Sequence, residues 1–170
     1  DQATPVQVNL SGSSVTAVAT SLWHTCVVLA SDKTRCWGFN GQGQLGDDST
    51  VASVRPVEAQ GLSATHQLAA GLTHTCAMQR DGSAWCWGSN GASPRAGRLG
   101  QGESEPPVAR RQIPSVVVGL DGERVRQLVA GNVLSAHRGR QQVNKAKEVV
   151  TAQVVRASAS ACRWSAAQAD

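Results

Sequence analysis

The 170-residue chain has no tyrosine, one phenylalanine and one methionine, and aromatic residues make up 4% of it. Long apolar runs are also missing: the longest, about Val116 to Leu120, falls far short of the roughly 18 residues a spanning helix needs. No membrane span is therefore expected. There is no G-x-S-x-G elbow, no H-E-x-x-H helix and no phosphate-binding P-loop, so the usual signatures of serine hydrolysis, zinc peptidase chemistry and nucleotide hydrolysis are absent. The chain is expected to be a non-enzyme with no cofactor and no metal. It has no initiator methionine and no signal-peptide pattern, which fits a mature product or an excised piece.

Charge is sparse and uneven. Residues 1–90 carry four Lys or Arg against six Asp or Glu, and residues 91–170 carry twelve against six, so the halves are −2 and +6 within a net charge of +4. A basic half could attract nucleic acid or an acidic protein. The basic residues are scattered, however, and no aromatic side chains interleave with them, so a solvated surface is the expected state and nucleic acid is an unlikely partner.

What the chain does have is 41% apolar residues, 17 glycines and five cysteines, in a length sufficient for one domain with its own core. One glycine run invites a sharp reading. Gly41-Gln42-Gly43-Gln44-Leu45-Gly46 spells the G-x-G-x-x-G of a dinucleotide cradle, which has meaning only between a buried strand and a helix N-terminus. Here a short strand and turn precede it, and Asp47-Asp48 follow it with charge that would repel a pyrophosphate.

An internal repeat explains the glycines better. "HTCVVLASDKTRCWGFNG" at 24–41 returns as "HTCAMQRDGSAWCWGSNG" at 74–91. The equivalences include His24/His74, Cys26/Cys76, Cys36/Cys86, Trp37/Trp87, Gly38/Gly88 and, past the glycines, Leu45/Leu99. In the second copy "ASPRA" stands where the first has only Gln42, which destroys the G-x-G spacing. A phosphate cradle cannot absorb such an insertion, whereas a surface turn can. A third copy starts with Gly119-Leu120 and "QLVAG" at 127–131, then lacks both His-Thr-Cys and Cys-Trp-Gly.

Val15–Thr20, Thr25–Leu29, Thr34–Trp37 and Val54–Glu58 read as short strands, rich in Val and Thr and separated by Gly, Asp, Asn, Ser and Pro. Four strands in each repeat resemble a propeller blade. The combination of "AAGLTHTCAMQRDGSAWCWGSNG", "WGFNGQGQLGDDS" and the spacer "PVEAQGL" resembles the regulator of chromosome condensation repeat, a blade of seven-bladed β-propellers. The resemblance covers about residues 10–131. It implies an all-β partial propeller of two to two-and-a-half blades, and it leaves activity open, since members include exchange factors for small GTPases, chromatin binders and secreted β-lactamase inhibitors. Residues 1–132 are expected to form the repeats, in copies at about 15–64 and 65–120 with a partial third from 121. Residues 133–170 are expected to be a divergent, irregular or partly helical tail, because Val143, Lys147, Val150, Val154 and Ala157 fall near helical spacing.

The cysteines follow from hairpin register. With Arg80-Asp81-Gly82 as the loop and Gly82 left-handed, residue 79 faces 83, which sets Cys76 opposite Cys86. In copy one the loop Ala30-Ser31-Asp32 sets Cys26 opposite Cys36, since Asp also tolerates the left-handed conformation. Disulfides are the favoured reading. Zinc held by His24, Cys26 and Cys36 is the sharper alternative and lacks an assigned fourth ligand, and buried reduced thiols are a third. Disulfides would place the chain outside the cell, in the periplasm or on a cell surface. Cys162 is left over, and Asn9-Leu10-Ser11 is a glycosylation sequon.

His24 and His74 hold one repeat position, as do Trp37 and Trp87, and both pairs are expected to pack between blades. Asp47 and Asp48 form the tightest carboxylate pair, a weak calcium site at best. Trp85, whose counterpart is Arg35, is a candidate partner contact together with Arg95 and Arg98. The function expected is a secreted or cell-surface protein-interaction module with an unidentified protein partner and self-association through open blade edges. The alternatives are nucleotide exchange on a GTPase, chromatin binding, and inhibition of a secreted enzyme.

Overall fold

Two four-stranded antiparallel sheets, one for each repeat copy, make up the regular structure of the described residues in a computed structural model that describes residues 4–91, 97–101, 108–120, 125 and 127–131. The first sheet is β1 (Val15–Thr20), β2 (His24–Leu29), β3 (Thr34–Gly38) and β4 (Ser53–Glu58), in chain order across the sheet. The second repeats it as β5 (Thr65–Ala70), β6 (His74–Gln79), β7 (Ala84–Ser89) and β8 (Arg110–Val116). This is the all-β, blade-type architecture that the repeat implies. The helical tail expected over residues 133–170 lies outside the described residues.

Turn chemistry sets the register as expected. At the tip of β6–β7 the Gln79 N–H donates to the Ser83 carbonyl at 2.9 Å, and Gly82 sits at φ 88°. In the first hairpin Leu29 N–H donates to Lys33 at 2.9 Å and Asp32 takes φ 62°, the left-handed conformation that glycine holds in the other copy. Cys26 is then directly opposite Cys36 and Cys76 opposite Cys86, and each pair is a disulfide with Cα atoms 4.1 Å apart.

The strand period of two divides each blade into a cysteine face and a tryptophan face. The cysteine face of blade one, with Cys26, Val28 and Cys36, packs on the tryptophan face of blade two, with Leu68, Ala77 and Trp87. Leu45 and Ala59, from the loops flanking β4, close this core. The cysteine face of blade two packs in the same way on Leu99, Val117 and Leu128. Leu128 belongs to the partial third copy, which the Gln67 side chain clips in place: its Nε2 donates to the Leu128 carbonyl at 3.1 Å while its Oε1 accepts from the Leu128 N–H at 3.2 Å.

Candidate functional site

The G-x-G-x-x-G run is a loop stapled by Asn40 rather than a cradle. Asn40 Oδ1 accepts the Leu45 N–H at 3.0 Å, while its Nδ2 donates to Asp47 Oδ1 at 3.0 Å and to the carbonyls of Ser49 and Val51 at 3.2 Å each. In copy two Asn90 Oδ1 accepts the Leu99 N–H at 3.1 Å and Nδ2 donates to the Val108 carbonyl at 3.0 Å. The same staple therefore spans five residues in one copy and nine in the other, and the difference is the insertion. Gly46 has φ 77°, and a Cβ there would come within 2.7 Å of Trp87 Nε1. The glycine is needed for close approach of the next blade. Asp47 Oδ1 is occupied by Asn40, the Ser49 N–H and the Ser49 hydroxyl.

Above that loop lies a buried chain of hydrogen bonds that crosses between the blades. Trp87 Nε1 and the Thr75 hydroxyl both donate to the Gln44 carbonyl, each at 2.8 Å. The Thr75 proton being used there, its oxygen accepts from His24 Nε2, 2.8 Å away. This fixes the tautomer, so His24 Nδ1 accepts from the Ser21 hydroxyl at 2.8 Å. Burial pushes the His24 ring down to about 4, and His74 adds to the effect. Burial also pushes His74 down to about 4, with the Arg98 charge adding to it. His74 Nδ1 has no partner among the described residues, because Gly71 stands where copy one has Ser21 and the His74 ring packs directly over it. Gly38 and Gly88, at φ 115° and 99°, face His24 and His74 across their hairpins and leave room for the backbone carbonyls of Trp23 and Thr73.

Both histidines are buried and neutral, and the His24 ring, bonded at both nitrogens, holds one blade to the other. Among the described residues no cluster of three His, Cys, Asp or Glu could hold a metal ion. The zinc reading of His24, Cys26 and Cys36 ends with the Cys26–Cys36 disulfide, which consumes both thiolates. Trp87 is fully buried whereas Trp37 is half-buried. Of the candidate contacts, Trp85 is half-buried with its Nε1 donating to Ser83 Oγ at 3.0 Å, Arg98 is half-buried, and Arg95 lies outside the described residues.

The most exposed aromatic side chains among the described residues are not among these candidates. Trp23 is 55% and Phe39 47% exposed, with ring centroids 6.5 Å apart at a tilt of 57°. The repeat itself holds the signal that could have found them, since the equivalent positions in copy two are Thr73 and Ser89.

Residues 15–44 and 66–92 match the regulator of chromosome condensation (RCC1) repeat, as do residues 36–78 in an alternative frame of the same repeat. No curated protein matches the chain. Among the solved structures that share its fold are the following. Human WBSCR16 superposes with a TM-score of 0.59 at 20% identity, over 71% of this chain and 29% of its own. Prp20p from Saccharomyces cerevisiae, described with its binding to Gsp1p and histones, gives 0.62 at 15% identity over 74% and 31%. Yeast RCC1 (Prp20) bound to Kap60 gives 0.52 at 18% identity over 69% and 28%. The chain thus spans about three-tenths of the length of the structures it matches. With its paired repeat positions and propeller topology, the chain carries regulator of chromosome condensation repeats over residues 15–92.

Proposed function

We propose that the chain is a secreted or cell-surface protein-interaction module without catalytic activity. The observation that carries this reading is the pair of cross-strand disulfides, Cys26–Cys36 and Cys76–Cys86, each at the same position of its blade. Such bonds persist in oxidising compartments and are rare in the cytosol or nucleus. Closing each loop of about ten residues contributes roughly 2.7 kcal/mol on the chain-entropy argument, a useful increment for blades that bury their faces only against neighbours. The repeat fold supplies a rigid frame, and the loops that differ between copies supply the contacts. No helix among the described residues is long and apolar enough to cross a membrane.

Thiol titration of the native protein under denaturing, non-reducing conditions tests the reading. One free thiol of the five cysteines is expected, Cys162. Five free thiols would overturn it and favour a nuclear or cytosolic exchange factor, for which reduced cysteines are the natural state.

A further inference from the structure

Trp23 and Phe39 lie side by side at one end of blade one, in the β1–β2 turn and just after β3. A backbone bond ties them together, the Phe39 N–H donating to the Trp23 carbonyl at 2.8 Å. In blade two the same bond joins Ser89 to Thr73 at 2.8 Å. The blade therefore forms this turn equally well with two small polar side chains, and repeat architecture gives no reason for two exposed aromatic rings in a chain this poor in aromatics. Neighbouring Leu22 is different. It recurs as Leu72 and so belongs to the repeat.

A cation stands at the edge of this pair. The Phe39 ring packs over Gly41, where an added Cβ would come within 2.5 Å of Phe39 Cζ, and Arg110 Nη1 lies 3.5 Å from the Gly41 carbonyl. Arg110 is exposed, and no carboxylate pairs with it among the described residues. This too is particular to the copy. Gly88 pairs with Arg111 where Gly38 pairs with Ser53, so Arg110 takes the place of Ala52. Of the loop carboxylates, Asp47 is turned inward onto Asn40 and Ser49, and Asp48 is exposed with its N–H on the Gln112 carbonyl. Two exposed aromatic faces beside a guanidinium that pairs with no carboxylate among the described residues suit one kind of occupant: aromatic anchors take a bulky apolar side chain, and the arginine takes a carboxylate next to it.

We propose that Trp23, Phe39 and Arg110 form a docking site for a partner peptide segment in which a bulky apolar residue is flanked by acidic ones, a proposal that rests on the reading of the chain as a protein-interaction module. Each residue of the site is replaced in the other copy, Trp23 and Phe39 by Thr73 and Ser89 and Arg110 by Ala52, so the repeat supplies its own controls. Trp23→Thr together with Phe39→Ser installs the side chains that blade two already folds with, and Arg110→Ala installs the one that blade one carries.

Fluorescence anisotropy on the full chain decides it, with a short labelled peptide holding a central Leu-Phe pair between glutamates and a second peptide with lysines in their place. The glutamate peptide is expected to bind saturably and the lysine peptide at least about tenfold more weakly. The double replacement should weaken the glutamate peptide by about tenfold or more. Arg110→Ala should weaken it several-fold and remove most of its salt dependence. Equal binding of the two peptides, no saturable binding of either, or unchanged affinity in the double variant would overturn the site. Circular dichroism monitors folding, and if the double variant unfolds, Arg110→Ala at its exposed position carries the decision. The module reading has a separate readout. If the native protein captures a partner and the double variant captures it equally well, the module stands and this site falls; if the thiol count is five, the module reading falls whatever the peptides do.

Discussion

The tryptophan faces of the two blades have nearly the same residues and opposite fates. On blade two Leu68 is 8% exposed and Thr75 and Trp87 are fully buried under blade one; on blade one Val18 is 60% exposed and Thr25 and Trp37 are half-buried. Trp87 donates to the Gln44 carbonyl, while the Trp37 indole has no hydrogen-bond partner among the described residues. A repeat position therefore has no fixed energetic worth. The same tryptophan is a core residue or a surface residue depending on whether a neighbouring Gly-x-Leu-Gly loop offers it a carbonyl and an apolar bed.

The largest expected effect follows from this contrast. Trp87→Ala should cost about 3–5 kcal/mol, enough to unfold a marginal domain, whereas Trp37→Ala should cost less than about 1 kcal/mol. Urea denaturation of the two variants checks it, and equal losses would break the comparison.

Acid should open the same interface. Unfolded, each histidine takes up a proton near its ordinary value of 6.5; folded, His24 and His74 do so only near 4. Between these values the unfolded chain binds more protons, so stability is full above about 6.5, falls as the pH falls through the window and levels off below about 4. Up to about 3 kcal/mol is at stake for each ring. A urea midpoint that stays flat from neutral pH to pH 4 would show that the histidines are not buried neutral between blades.

The hydroxyl relay gives a smaller and sharper contrast. Thr75→Val strands the His24 Nε2–H and removes one donor from Gln44, a loss of about 1–3 kcal/mol. Thr25→Val on the open face should stay within about 0.5 kcal/mol. The smallest effect belongs to the ion pair between blades, in which Arg80 grips Asp32 through two bonds of 2.8 and 3.1 Å. Arg80 holds the Asp32 carboxyl below its usual range, yet the guanidinium is exposed and salt screens the pair. Asp32→Asn, which keeps a residue able to hold φ 62°, should leave the urea midpoint unmoved at physiological salt.

Much of the fold was legible because it rests on local rules. Alternation and turn residues placed the strands of blade one, and the Gly82 and Asp32 turns set the register that brings the cysteines together. The second copy confirmed each assignment by repetition. What sequence could not reveal depends on contacts between blades. Nothing near Gln44 announces that its carbonyl serves Trp87 and Thr75, and nothing near Asn40 announces a loop staple, because both roles come from chain that is distant or variably spaced. Trp23 and Phe39 carry no motif of their own, and such copy-specific residues stand out only by what they replace, Thr73 and Ser89 here.

The most direct test of the two-face account is the exchange of the indole N–H protons of Trp37 and Trp87 with deuterium, followed by NMR on the native chain and assigned with Trp37→Phe and Trp87→Phe. The account predicts that the Trp87 indole, bonded to Gln44 and sealed between blades, exchanges only through opening of the interface, while the Trp37 indole exchanges orders of magnitude faster. Comparable rates at the two sites would contradict it.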